Sequence, residues 1–72
     1  MNTKILEKFG KTLRRKRREA NYSQEEFAEK LGIHRTYMSF LERGQRNPSL
    51  IMLFKISRVL KIKLSELFEF DA

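Results

Sequence analysis

Arg35, Thr36, Ser39, Phe40 and Arg43 lie close together in the chain, and their spacing gives them a common side if residues 35 to 43 form a helix. At about 100° per residue they fall within roughly 140° of one another, while Met38 and Leu41 point away toward a core, with Ile33 beside them. The outward side then offers two guanidiniums, two hydroxyls and an aromatic ring, with no carboxylate among them. Such a set suits the major groove of DNA, where Arg pairs with guanine and apolar groups touch thymine methyls.

Other chemistry finds little support. There is no Cys and only one His, His34, so the chain has no thiolate nucleophile, no disulfide framework and no Cys-based zinc site, and one His does not make a metal site alone. No nucleophile–base pair or phosphate-binding loop is visible, so neither enzyme activity nor a metal or cofactor is expected, and no small-molecule ligand is evident. No apolar run approaches the length of a membrane span, and the N-terminus lacks the apolar segment of a signal peptide. A cytoplasmic protein with no membrane partner is expected.

The net charge of +7 is placed unevenly. Residues 4 to 18 hold Lys4, Lys8, Lys11, Arg14, Arg15, Lys16, Arg17 and Arg18 against Glu7 alone, so the whole excess falls there. The remaining eight basic residues are balanced by eight acidic ones. A one-sided field of this kind suits a polyanion, although a basic run can also be a solvated helix face.

The elements that must position these groups read as helices. Seventy-two residues make one domain, 1–72, near the lower size at which a chain folds without a metal or disulfides. Ile5, Phe9 and Leu13 step by four, which predicts an apolar stripe on a helix of residues 3 to 20. Ser23-Gln24-Glu25-Glu26 is a capping box, and Phe27, Ala28 and Leu31 give the short helix after it one buried face, stopped by Gly32. A third helix is expected over 35–43 with Gly44 as its stop, and a fourth after the cap Ser49, with Leu50, Leu53, Ile56 and Leu60 on one face. A last short turn or helix covers about 64 to 68. The expected fold is all-α: a compact five-helix bundle with a helix-turn-helix at 23–44, in which Leu31-Gly32-Ile33-His34 supplies the short glycine-containing turn.

The pattern Ser23-Gln24-Glu25-Glu26-Phe27-Ala28-Glu29-Lys30-Leu31-Gly32-Ile33, then Tyr37-Met38-Ser39, Leu41-Glu42-Arg43-Gly44 and Arg46-Asn47-Pro48-Ser49-Leu50, resembles the lambda-repressor-like (Cro/CI, XRE-type) helix-turn-helix family. The likeness runs over residues 5 to 68. The stretch from Arg35 to Ser39 with Glu42-Arg43 and Arg46 to Ser49 is most similar to controller proteins of restriction–modification systems.

That resemblance implies roles for matching positions. Arg35, Thr36, Ser39 and Phe40 would read bases, with His34 just before the helix. Gln24, Tyr37, Arg43 and Asn47 would hold phosphates, Gln24 at the start of the second helix. Arg17 and Glu42 would form a structural ion pair, and Arg17 independently continues the stripe of Ile5, Phe9 and Leu13, where a cation needs a partner. His34 stands where many relatives carry Ser, Thr or Asp, which predicts a weaker cap, and Lys61 replaces a usual Gly. Phe40 could instead pack on a neighbouring side chain, and Tyr37, near the edge of the apolar face, could pack partly into the core.

Ile51, Met52, Phe68 and Phe70 exceed what one buried face needs, and an apolar surplus of this kind marks a protein contact. A two-fold homodimer is expected, on a palindromic double-stranded DNA operator with half-sites roughly 34 Å apart. The implied function is transcriptional regulation, as a controller protein, a phage-type repressor or an antitoxin-like regulator. A protein-interaction adaptor of the multiprotein-bridging type is the reading from another class.

Overall fold

The computed structural model describes residues 3–70. In order, α1 (Thr3–Glu19), α2 (Gln24–Leu31), α3 (Arg35–Glu42), α4 (Leu50–Leu60) and a 3₁₀ turn (Leu64–Phe68) make up the fold. No strand occurs among the described residues. The expected fifth helix is thus a 3₁₀ turn, and the bundle has four α-helices. Five residues give too few backbone bonds to repay helix nucleation, so the segment stays a tight turn anchored by buried Leu67.

Local chemistry sets the boundaries. The Ser23 hydroxyl accepts from the Glu26 amide at 3.0 Å, and the Glu26 carboxylate accepts from the Ser23 amide at 2.9 Å. These bonds to Ser23 hold the Glu26 carboxyl below its ordinary 4.5. Gly32 ends α2 at φ 71, a left-handed conformation that costs glycine no steric strain. Ser49 accepts from the Met52 amide at 3.0 Å and starts α4. Lys61 ends that helix at φ 58, so the left-handed stop is present although the residue there is not Gly.

The core is made by Phe9 and Leu13 of α1, Phe27 and Leu31 of α2, Met38 and Leu41 of α3, Ile56 and Leu60 of α4, and Leu67. Ile5, at the outer end of the α1 stripe, is 42% exposed. α1 lies directly on α3. A Cβ on Gly10 would strike the Glu42 carbonyl and come within 2.8 Å of the Leu41 carbonyl, so only a residue without a side chain lets the two backbones meet.

α4 departs from the expected face. Ile56, Ser57 and Leu60 are buried, with Leu53 and Met52 half-buried. Leu50, expected inward, is 71% exposed and stands with Ile51 at 70% and Phe54 at 53%. Ser57 fits the core because its hydroxyl donates to the Phe54 carbonyl at 2.7 Å, which satisfies a polar group that would otherwise be costly to bury.

Candidate nucleic-acid interface

The turn 32–34 aims α3. His34 adopts an extended conformation, φ −74 and ψ 144, and its Nδ1 accepts from the Thr36 amide at 3.0 Å. The cap expected to be weak is therefore made, with a ring nitrogen in the place of a hydroxyl or carboxylate oxygen. His34, Arg35 and Thr36 are exposed, and Ser39 and Phe40 are half-buried. The five base-reading candidates thus sit on the first two turns of α3 and the residue before them, while Met38 and Leu41 are fully buried behind.

Two contacts change the electrostatics of this side. Arg35 Nη1 lies 3.5 Å from the Glu25 carboxylate of α2, so the reading side is not free of acid once α2 is in place. Both partners are exposed, and such a pair is readily exchanged for another anion. Phe40 lies beneath two guanidiniums, with Arg43 at 5.1 Å and Arg46 at 4.6 Å from the ring centre. The ring therefore both faces outward and packs on neighbours, which holds two cations beside α3. Arg46 was missed from sequence, because only the turn after Gly44, which has φ 72, folds it back over Phe40.

The phosphate candidates divide. Arg43 is exposed, its Nε donating to the Ser39 carbonyl at 3.4 Å. Tyr37 is half-buried against the core, as its position at the edge of the apolar face allowed. Asn47 is exposed and rims an apolar hollow of about 350 Å³ lined by Ile5, Phe9, Pro48, Leu53 and Phe68, none of which belongs to the reading side.

Gln24 is half-buried and turned inward, its Nε2 donating to Glu42 Oε1 at 3.1 Å. The same carboxylate receives Arg17, through Nε at 2.6 Å to Oε2 and Nη2 at 3.1 Å to Oε1. The remaining Arg17 nitrogen, Nη1, donates to the Tyr22 carbonyl at 2.7 Å. The pair implied by the family resemblance is thus formed, with both side chains less than a tenth exposed. Among the described residues no buried side-chain nitrogen or oxygen lacks a partner.

Of the apolar surplus, Ile51 and Phe68 are exposed, whereas Met52 and Phe70 pack partly on the protein's own core. Phe68 stacks between Phe9, at 5.9 Å, and Phe70, at 6.3 Å. Leu50 and Phe54, which sequence reasoning did not single out for this surface, carry more of the exposed area beside Ile51. No helix among the described residues is long and apolar enough to cross a membrane, and no metal-competent cluster of His, Cys, Asp and Glu occurs among them.

The family model described as helix-turn-helix matches residues 13–67. Control protein C.MunI of a Mycoplasma species is 50% identical over 62 residues, covering 85% of this chain and 84% of that protein. The crystal structure of the restriction–modification controller protein C.AhdI from Aeromonas hydrophila superposes with a TM-score of 0.88 at 42% identity, covering 92% of this chain and 96% of that one. The biofilm master regulator SinR, solved in complex with DNA, gives 0.78 at 37% identity over 85% of this chain and 98% of its own. With the family match across the core and near-complete overlap with these relatives, the chain belongs to the XRE-type helix-turn-helix family.

Proposed function

We propose that the chain is a sequence-specific, double-stranded-DNA-binding transcriptional regulator that acts as a homodimer. The observation that carries this reading is the outward side of α3. Arg35, Thr36, Ser39 and Phe40 stand together on a helix whose start is capped and whose other side is locked in the core. Arg35 is suited to bidentate pairing with guanine, and the Phe40 ring to a thymine methyl. Arg43 and Arg46, held over that ring, supply charge for flanking phosphates. The likeness to restriction–modification control proteins over most of the chain supports a controller role within the family.

The dimer reading rests on Leu50, Ile51 and Phe54, an exposed apolar strip along α4. A domain with so few base contacts gains specificity when a two-fold axis doubles them. The deciding experiment is selection of bound sites from a random duplex library. A two-fold symmetric consensus with half-sites about one helical turn apart is expected. Recovery of no consensus, with binding indifferent to sequence, would refute this reading in favour of a protein-interaction module.

A further inference from the structure

We infer that the buried Arg17–Glu42 pair is a positioning device for DNA binding: it holds the Gln24 side-chain amide as a preset phosphate donor. This rests on the reading of Gln24 as a phosphate contact at the start of α2. A primary amide has two N–H groups fixed in one plane. One of them is taken by Glu42 Oε1 at 3.1 Å, so the direction of the other is set. A free Gln side chain would have to be ordered on binding, and here that ordering is done in advance.

The charges require the pair to act as a unit. A carboxylate within hydrogen-bond reach of a phosphate donor would repel the phosphate. Arg17 offsets that charge with two donors to Glu42, in a setting where both are nearly excluded from water. Its third contact, to the Tyr22 carbonyl at 2.7 Å, fixes the turn that delivers α2. Arg17 of α1 and Gln24, the first residue of α2, therefore meet at the carboxylate of Glu42, the last residue of α3, and the turn before α2 is tied in through Arg17.

The test compares DNA affinity and stability in the full chain. Gln24→Ala is expected to weaken operator and random DNA alike by about tenfold, the loss of one hydrogen bond to a charged group, and to leave the steepness of the salt dependence unchanged, because a neutral amide releases no counterion. The paired replacement Arg17→Met with Glu42→Leu keeps the site filled with apolar volume and is expected to fold. It should lose the same roughly tenfold, and adding Gln24→Ala to it should cost less than about twofold more. Losses that simply multiply, or wild-type binding by the paired variant, overturn the positioning role while leaving the Gln24 contact standing. An unchanged affinity for Gln24→Ala alone removes the phosphate contact and the positioning role together. Should the paired variant fail to fold, relaxation of side-chain ¹⁵N signals in the wild type decides. The Gln24 amide must be markedly more ordered than that of exposed Gln45, and equal mobility of the two overturns the proposal.

Discussion

The guanidinium of Arg17 meets the carboxylate of Glu42 side-on across 25 residues of chain, with Nε to Oε2 at 2.6 Å and Nη2 to Oε1 at 3.1 Å. The two-pronged geometry suits the planar fork of Arg and not the point charge of Lys. Removing either partner strands the other inside the bundle. Glu42→Ala is expected to cost about 3–5 kcal/mol, and the paired apolar replacement much less. Chemical denaturation of the single and double variants measures the coupling, and a value below roughly 0.3 kcal/mol would show the two side chains to be independent.

Arg35 has a different environment, held only by the exposed Glu25 at 3.5 Å. Arg35→Ala should weaken binding to the selected operator by about 1–3 kcal/mol and to random DNA little. Competition gel shifts with both duplexes distinguish base reading from phosphate holding. Equal losses on the two would assign Arg35 to the backbone.

The imidazole cap of α3 makes a separate expectation. His34→Ala removes the acceptor for the Thr36 amide and should cost about 0.5–2 kcal/mol of stability. His34→Ser, which restores an acceptor at the same place, should recover most of it. Thermal unfolding of the two variants side by side decides this, and no difference between them would mean that the ring packs without capping.

Ile51→Glu addresses assembly. Ile51 is 70% exposed and contributes nothing to the core, so the variant should fold as the wild type does. Across a two-fold contact the carboxylate would be buried near its own copy, and dimerisation and operator affinity should fall together. Sedimentation of both proteins tests this, and a wild type that stays monomeric at high micromolar concentration while binding its site tightly would remove the dimer.

Sequence made the helix-turn-helix legible because each of its signals is local. The Ser23–Glu26 box, Gly32 and the opposed sides of α3 depend on residues at most a turn apart. α4 was harder for a physical reason. Leu50, Ile51, Met52, Leu53, Phe54, Ile56, Val59 and Leu60 are apolar around most of its circumference, so periodicity did not separate the face that meets the core from the face carrying Leu50 and Phe54. The Arg17–Glu42 pair could be expected from the stripe together with family likeness, but not that Gln24 would join it. The Glu25–Arg35 contact and the stacking of Arg46 on Phe40 are tertiary, and nothing in the local pattern announces them.

Gly10 places a limit on reading specificity from the contacting side chains alone. In a helix interior, replacing Gly by Ala ordinarily gains about 0.5–1 kcal/mol. At this position the added methyl collides with the carbonyls of Leu41 and Glu42, so the usual gain reverses. Relief would come by prying the far end of α3 off α1, which swings the helix about its capped start. Every outward residue of α3 would keep its identity and change its aim. If α3 reads DNA as proposed, two homologues with the same outward residues would then prefer different operators through a single methyl buried between α1 and the end of α3.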